Sequence, residues 1–273
     1  MPLANMRDLM ASAKAQGAAV GAFSVSSIDM ILGVVRAAEE LDTPIILQVA
    51  EVRLNCTPLE VIGAAMIAAA KMAKVPVAVH LDHGMTMETI EKALSLGFTS
   101  VMYDGSHLSM DENIANTKKV IDMARKTGAA VEAEIGRVGK TESGEDAPAQ
   151  TADPVEGIRF ANETGVDALA VAIGNAHGVY EGTPQLKFEV LEQMRKGCDT
   201  PFVLHGGTGI SDDDFRKAVR YGMHKINIAT ATFQAVAEAG RGPEGFFTLA
   251  ARKQEAAAEV ARRHIRIFGT FAG

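Results

Sequence analysis

The sequence predicts a single α/β domain, a (β/α)8 TIM barrel with an additional C-terminal helix. Short apolar runs alternate with amphipathic helical segments along the chain, and the runs are nearly continuous in Val, Ile, Ala and Leu. Such runs are typical of parallel strands buried on both faces. The length of 273 residues also suits one barrel of roughly 250 residues. A doubly wound open sheet is the alternative, but polar residues follow nearly every predicted strand, which a barrel explains better.

The predicted strands and helices alternate in chain order. The strands cover residues 19–23, 44–50, 76–81, 99–103, 129–135, 167–173, 201–205 and 225–229. The helices cover residues 28–41, 59–73, 87–96, 111–126, 154–163, 188–196, 212–221 and 232–239. Local chemistry supports the helix ends: Thr57-Pro58 predicts an N-cap followed by proline at the first helical position, and Ser211 predicts a cap ahead of three aspartates. Gly97 is predicted to end the helix before the fourth strand.

Two segments interrupt this alternation. Residues 139–153 are polar and contain glycine and proline, and we expect them to form a mobile active-site loop. Residues 241–273 are expected to form a C-terminal helical extension of the same domain, which spans residues 1–273. Its helix over residues 248–264 is expected to cap the barrel or to contact another subunit of a homodimer or homotetramer.

Composition argues against several classes of partner. The formal net charge is −7 and no basic run is interleaved with aromatic residues, so we expect no nucleic-acid partner. No apolar run approaches the roughly 18 residues that a membrane span needs, and we expect no membrane association. Cys56 and Cys198 form no C-x-x-C pair, which predicts reduced thiols in a cytoplasmic protein.

Three histidines are candidate metal ligands. His83, His177 and His205 each end a different predicted strand, and each is followed by a glycine. Because the C-terminal ends of barrel strands converge on one mouth, we expect the three imidazoles to meet there. Three protein ligands with an open fourth position form a typical catalytic zinc site. His224, which starts a strand, is interpreted as structural instead.

Carboxylates accompany these histidines. Asp82 directly precedes His83, while Asp104 and Glu134 end the fourth and fifth predicted strands. A carboxylate near a metal can bind the ion, orient one of its ligands or carry a proton, and position alone does not decide among these roles. His80 lies inside the third strand and is interpreted as a residue that supports the site.

A glycine-rich turn and a polar strand end are candidates for a phosphate site. Gly206-Gly207-Thr208-Gly209 follows the seventh predicted strand, and Asn227-Ile228-Ala229-Thr230 ends the eighth. Barrels frequently bind phosphate with the loops after these two strands. Backbone N–H groups at helix starts, a hydroxyl and a side-chain amide are suitable donors to an anion.

Six segments at these strand ends match one family. They are His80-Leu81-Asp82-His83-Gly84, Asp104-Gly105-Ser106-His107-Leu108 and residues 132–139, 172–180, 204–209 and 225–230. Together they resemble the class II, zinc-dependent ketose-bisphosphate aldolases, and the tagatose- and fructose-bisphosphate branch is the most similar. The resemblance covers the chain through Thr230 and weakens afterwards.

The resemblance implies a role for each candidate residue. Zn²⁺ is the implied cofactor, with a monovalent cation as a further candidate, and His83, His177 and His205 are the implied zinc ligands. Asp104 and Glu134 match acidic positions near the metal. The implied dihydroxyacetone-phosphate site consists of Gly178, Gly206, Gly207, Thr208, Asn227, Ile228, Ala229 and Thr230.

Two acids would move protons. The resemblance implies that Asp82 protonates the aldehyde oxygen and that Glu142, in the mobile loop, moves the C3 proton. Glu145 is the competitor for the second role, because Lys140 replaces a usual glycine and the loop is slightly short.

These roles imply reversible cleavage of a ketose 1-phosphate or 1,6-bisphosphate to dihydroxyacetone phosphate and an aldehyde, through a zinc-stabilised enediolate. No lysine Schiff base is needed, and Lys225 is expected to begin its strand on the wrong face for one. Two other classes compete. One is a non-catalytic phosphosugar-binding barrel, which would be expected to lose zinc ligands or Asp82, and the other is a metal-dependent epimerase or hydrolase.

The pattern departs from the family on the aldehyde side. Ser24 stands where asparagine is usual, Ala50 stands where serine is common, and Arg53 lies just beyond the second strand. We therefore expect Ser24 and Arg53 to bind a non-standard anionic aldehyde, either sulfolactaldehyde from a 6-sulfo ketose 1-phosphate or a carboxylated aldehyde. The competing interpretation makes Arg53 a surface or subunit-contact residue. The configuration at C4 stays open.

Overall fold

The chain folds into a closed barrel of eight parallel strands, each hydrogen-bonded to the next and the last to the first. The computed structural model describes residues 2–139, 149–180 and 182–272. The strands are β1 Val20–Ser24, β2 Ile45–Ala50, β3 Val77–Gly84, β4 Ser100–Tyr103, β5 Ala130–Ile135, β6 Ala168–Val171, β7 Phe202–Leu204 and β8 Met223–Ile228. This architecture confirms the predicted TIM barrel, and the open doubly wound sheet is wrong.

Helices surround the barrel and connect its strands. They are α1 Met6–Ala15, α2 Ile28–Glu40, α3 Leu59–Met72, α4 Met87–Leu96, α5 Met110–Arg125, α6 Pro154–Thr164, α7 Phe188–Met194, α8 Asp212–Arg220, α9 Thr230–Ala239 and α10 Phe246–Phe268, with a 3-10 helix Glu51–Arg53 after β2. Helix α1 lies where no helix is predicted, and α10 extends beyond both ends of the helix predicted over residues 248–264. In the part of the chain that the structure describes, no helix is long and apolar enough to cross a membrane.

The helix ends show which local predictions are correct. Ser211 caps α8, because its side chain accepts a hydrogen bond from the N–H of Asp214. Gly97 ends α4 with a φ of 94°, a left-handed conformation that glycine adopts readily. The prediction for Thr57 is wrong, because Pro58 is the N-cap of α3. The Thr57 hydroxyl instead donates to the Ser26 carbonyl at 3.3 Å and ties together the loops after β1 and β2.

The barrel interior is apolar at its N-terminal end. Helix α1 begins after Asn5, whose side chain accepts from the N–H of Arg7, and its apolar residues recur at helical spacing. Met6 and Met10 from this helix are fully buried against the strands. They pack with Val20, Ala22, Ile46, Ala78, Ala130, Ala168, Ala170 and Val203, a cluster that we call the lower core. Apolar side chains therefore fill the N-terminal end of the barrel, and the polar groups lie at its C-terminal end.

Helix α10 packs very closely along α2. A Cβ atom added at Gly33 of α2 would lie 2.2 Å from the Gln254 carbonyl oxygen of α10, so only glycine allows this approach. Ala257, on the same helix, is fully buried. The ion pair between Arg36 and Glu255 spans the edge of this contact at 2.6 Å, but it is partly exposed and adds little stability. Packing of small residues therefore holds the C-terminal helix to the barrel.

Met10→Ala is expected to lower the free energy of unfolding by about 2–5 kcal/mol, because it removes a fully buried side chain and leaves a cavity in the lower core. Urea unfolding measures this loss. The matched control is Met72→Ala, because the Met72 side chain is 83% exposed and its loss should cost less than about 0.5 kcal/mol. Equal losses in the two variants would contradict the packing of α1 against the lower core at the N-terminal end of the barrel.

Candidate active site

Three histidines meet at the C-terminal end of the barrel. His83 belongs to β3, His177 lies in the loop after β6, and His205 directly follows β7. All three are buried, and each offers one ring nitrogen such that these atoms lie within 4.8 Å of one another. The structure therefore brings together the three histidines that the sequence marks as candidate metal ligands.

A distortion of β3 brings two consecutive side chains into the same group of polar residues. In a regular strand, Asp82 and His83 would point to opposite faces. The pairing of β3 with β4 shifts register between Leu81 and Gly84, and His83 adopts a positive φ of 41°. Non-glycine residues rarely adopt this conformation, and such strain is commonly found at functional sites. The bulge allows the Asp82 carboxylate and the His83 imidazole to serve one site.

Carboxylates fix the orientation of two of the imidazoles. His83 Nδ1 lies 2.8 Å from Asp104 Oδ2, and His205 Nε2 lies 2.8 Å from Glu132 Oε1. Carboxylate oxygens accept hydrogen bonds, so these two nitrogens carry the hydrogens. The remaining nitrogens, His83 Nε2 and His205 Nδ1, face each other at 2.8 Å. Two ring nitrogens that converge in this way, with carboxylates behind them, are the arrangement of metal-binding histidines.

Without a metal, one proton occupies the space between these two rings. Burial lowers the pKa of His83, but the charges of Asp82 and Asp104 more than offset this effect, and its pKa lies well above the usual value. Burial and the neighbouring His83 hold the pKa of His205 well below its usual value. A protonated His83 therefore donates to a neutral His205, and a metal ion bound here would displace that proton.

Asp104 and Glu134 contribute differently. Asp104 accepts from the His83 ring and from the N–H of Ser106, and these hydrogen bonds hold its pKa below the usual value even though it is buried. It therefore orients His83. Glu134 accepts from the Val138 N–H at 3.3 Å, and burial together with the Asp104 charge raises its pKa to about 8. His83, Asp104 and Glu134 form a second group whose ligand atoms lie within 4.8 Å.

Two side-chain amides hold the Asp82 carboxylate. Gln48 Nε2 donates to Asp82 Oδ2 at 2.9 Å, and Asn227 Nδ2 donates to Asp82 Oδ1 at 3.1 Å. The Gln48 amide also donates to Ser24 Oγ at 3.1 Å, which explains the position of Ser24 in this network. Gln48 was not among the predicted site residues. Its sequence signal is a polar residue in the middle of an otherwise apolar strand.

Lys225 is fully buried beneath this site. Its Nζ atom lies 2.8 Å from Glu132 Oε2 and donates to Asn227 Oδ1 at 2.8 Å. The prediction that Lys225 begins its strand on the wrong face is wrong. It is preceded in β8 by Met223 and His224, and its side chain lies inside the barrel, since Asn227, two residues later, shares the same face.

Most of the residues predicted for the phosphate site line one small cavity that includes His177. Its lining consists of His177, Gly178, Gly206, Gly207, Thr208, Asn227, Ala229 and Thr230. Gly206 has a φ of 64°, and a Cβ atom there would lie 2.1 Å from the Ala176 carbonyl oxygen, so glycine allows the β6 and β7 loops to touch. Tyr180, a residue not predicted for the site, accepts from the Ala176 N–H and donates to the Gly206 carbonyl. Ile228 lies in the hydrophobic core instead of lining the cavity.

Arg53 stands between the β2 end and α9. It ends the 3-10 helix after Ala50, and its guanidinium lies 5.7 Å from the centre of the Phe233 ring. This position follows the C-terminal end of β2. The predicted loop bases, Glu142 and Glu145, lie outside the described residues, as does Lys140.

The family model for class II fructose-bisphosphate aldolase matches residues 4–272. The chain belongs to the class II fructose-bisphosphate aldolase family. The resemblance identified from the strand-end motifs is therefore confirmed, and the chain is an aldolase of the lyase class by family. The buried histidine cluster lies where this family's chemistry is expected, at the C-terminal mouth of the barrel.

Relatives within the family have different named substrates. The chain is 39% identical over 258 residues to the fructose-bisphosphate aldolase of Staphylococcus aureus (strain Mu50), covering 88% of this chain and 86% of the relative. It is 39% identical over 246 residues to the 6-phospho-5-dehydro-2-deoxy-D-gluconate aldolase of Halalkalibacterium halodurans, covering 88% and 85%. The crystal structure of the YdjI aldolase from Escherichia coli K12 matches with a TM-score of 0.89 and 36% identity over 98% of both chains.

Asp104→Asn is expected to lower the pKa of His83 in the metal-free protein, because the carboxylate that favours the imidazolium is lost while burial remains. Titration of the imidazole ¹⁵N signals by NMR measures this pKa after removal of metal with a chelator. His264 serves as the internal control, since burial on α10 lowers its pKa to about 4 independently of the site. An unchanged His83 titration would contradict the role of Asp104 in orienting this ring.

Proposed function

We propose that this chain is a zinc-dependent aldehyde-lyase that reversibly cleaves a ketose 1-phosphate or 1,6-bisphosphate to dihydroxyacetone phosphate and an aldehyde. One observation carries the proposal. The ring nitrogens of His83 and His205 converge at 2.8 Å with carboxylates behind both rings, beside a small cavity that Gly178, Gly206 and Gly207 help to line. Family membership supports the same reaction class.

The donor set suits zinc. His83, His177 and His205 would hold the ion, and Asp104 and Glu132 would orient two of these rings. Glu134 is a further candidate ligand from the second group, and a monovalent cation is a further candidate cofactor. When bound, zinc would supply a Lewis acid that polarises the substrate carbonyl.

The cavity beside His177 would bind the phosphate of dihydroxyacetone phosphate. Gly206, Gly207 and Thr208 present backbone from the β7 loop, and Ala229 and Thr230 present backbone at the start of α9. The N-terminus of α9 adds the positive end of a helix dipole. This binding would place the three-carbon fragment between the phosphate cavity and the histidines.

Asp82 would transfer the proton of the aldehyde half. In the cleavage direction, its carboxylate accepts the proton of the C4 hydroxyl as the C3–C4 bond breaks, and in condensation the same proton returns to the aldehyde oxygen. The amides of Gln48 and Asn227 both donate to the carboxylate, and these two hydrogen bonds would fix its orientation toward the substrate. The proton at C3 is assigned to Glu142, with Glu145 as the competitor.

The acceptor is proposed to be an anionic aldehyde that differs from glyceraldehyde 3-phosphate. Ser24 and Ala50 replace usual polar residues at the ends of β1 and β2, and Arg53 offers a guanidinium on the same side of the mouth. Arginine binds carboxylate, sulfonate or phosphate groups in a planar, bidentate manner. A carboxylated aldehyde is favoured, because the relative from Halalkalibacterium halodurans is named for a sugar acid. A sulfonated aldehyde is the second candidate.

Zinc-loaded protein is expected to exchange the C3 proton of dihydroxyacetone phosphate with solvent, and Asp82→Asn is expected to keep this exchange while condensation falls by about 10²–10⁴-fold. Loss of deuterium from the labelled substrate, followed by NMR, measures exchange, and an aldehyde coupling assay measures condensation. Removal of zinc should abolish both activities, and its return should restore them. Absence of exchange in the zinc-loaded wild type would favour a phosphosugar-binding barrel, an epimerase or a hydrolase instead.

Arg53→Met is expected to raise the KM for anionic aldehydes by about 10- to 100-fold, because a hydrogen bond to a charged group is worth about 1.5–3 kcal/mol. The KM for neutral glyceraldehyde should stay within about 3-fold of the wild-type value. A panel of aldehydes ending in carboxylate, sulfonate, phosphate or hydroxyl separates the candidates, and the product configuration identifies the sugar series. An equal change for neutral and anionic aldehydes would contradict the anion-binding role.

A further inference from the structure

A buried ion pair crosses the barrel directly beneath the proposed site. Lys225 of β8 and Glu132 of β5 are both 0% exposed, and Lys225 Nζ lies 2.8 Å from Glu132 Oε2. Removing two charges from water is costly, and replacing such a pair by apolar residues is often neutral or stabilising. The fold itself therefore has little need of this pair, and its contacts indicate another use.

On one side of the pair, Glu132 contacts the histidine cluster, and we call this contact the His205 arm. Glu132 Oε1 accepts the hydrogen of His205 Nε2 at 2.8 Å, while the other oxygen of the same carboxylate faces Lys225. This contact selects the His205 tautomer whose Nδ1 lone pair is directed at His83. Because the ammonium holds Glu132 from the opposite side, the carboxylate cannot rotate away from His205 without leaving a buried charge unpaired.

On the other side of the pair, Lys225 is connected to the Asp82 carboxylate through Asn227, and we call this connection the Asn227 arm. Lys225 Nζ carries only hydrogen-bond donors, so the group of Asn227 that faces it must be the carbonyl oxygen, observed at 2.8 Å. The Asn227 NH₂ group is thereby turned to Asp82 Oδ1, at 3.1 Å. A flipped amide would bring NH₂ against the ammonium and oxygen against the carboxylate, and both contacts would be repulsive.

We propose that Lys225 is a positioning residue that fixes side-chain orientations in both the metal half and the aldehyde half of the site. Through Glu132 it fixes the His205 ring for the metal, and through Asn227 it fixes the Asp82 carboxylate for the aldehyde. Complete burial and these two contacts also exclude Lys225 as a nucleophile in the described arrangement. This inference rests on the proposed function and gives roles to Lys225 and Glu132, which lie outside the assigned ligand, phosphate and proton-transfer groups.

Two double variants separate the two arms without leaving a buried charge unpaired. Glu132→Gln with Lys225→Met keeps an oxygen that accepts from His205 but removes the donor to Asn227. Its zinc affinity should stay within about 3-fold of wild type, whereas condensation should fall at least about 10-fold relative to C3-proton exchange. Glu132→Leu with Lys225→Met removes both contacts, and its zinc affinity should also fall by about 10- to 100-fold.

Zinc affinity is measured by competition with a chromophoric chelator, and condensation and exchange are measured with dihydroxyacetone phosphate as above. Arg195→Met is the matched control, because this half-buried guanidinium stacks on Phe202 and donates to the carbonyls of Thr200 and Gly222, at the N-terminal ends of β7 and β8. The control should lose stability in urea and keep wild-type zinc affinity and the wild-type ratio of condensation to exchange.

The outcomes are distinct. If either folded double variant keeps both wild-type zinc affinity and the wild-type ratio, the pair is only structural and the inference is overturned. If one variant does not fold, the other still tests the Asn227 arm, since both lack the ammonium. If the wild-type protein binds zinc but lacks exchange, the proposed function fails while the effect of Glu132 on zinc affinity still decides the His205 arm.

Discussion

The contact between His83 and His205 is the interaction on which the site depends. Two imidazoles approach at 2.8 Å, and a carboxylate accepts a hydrogen bond from the other nitrogen of each ring: Asp104 from His83 and Glu132 from His205. Buried imidazoles with fixed tautomers present their free nitrogens to the same point in space. A proton or a metal ion can occupy that point, and the surrounding carboxylates make a cation favourable there.

The barrel supports this contact by separating its interior into two parts. At one end, α1 and small apolar side chains fill the space and exclude water. At the other end, ionic and amide groups replace them, and each strand contributes at its carboxyl end. The change occurs at the level of Lys225 and Glu132, where one ammonium connects groups from opposite sides of the barrel. Among the described residues at this depth, Gln48, Asp82, Glu132, Lys225 and Asn227 each have a hydrogen-bond or ionic partner, which lowers the cost of burying them.

The two halves of the site differ in how strongly the residues constrain a substrate. The β7 loop and the start of α9 line the proposed phosphate cavity, and the positive φ of Gly206 lets the β6 and β7 loops touch there. The proposed aldehyde side consists of single side chains, Ser24 and Arg53, at the ends of β1 and β2. A cavity that depends on closely packed glycines permits few substitutions, whereas single side chains can change with the substrate. Relatives in the family are indeed named for different substrates.

The sequence by itself determined the barrel, the order of its strands and the residues at their carboxyl ends, because strand composition, glycine placement and motif spacing are local properties. The sequence also predicted the grouping of His83, His177 and His205, because the topology of a barrel makes strand ends converge. Tertiary structure alone decided three other features. It showed where the apolar face of α1 packs, that β3 shifts register next to Asp82 and His83, and which group Lys225 contacts inside the barrel. Periodicity indicates which face of an element is apolar or polar, but the partners of each face are contacts between residues far apart in the chain, and spacing does not specify them.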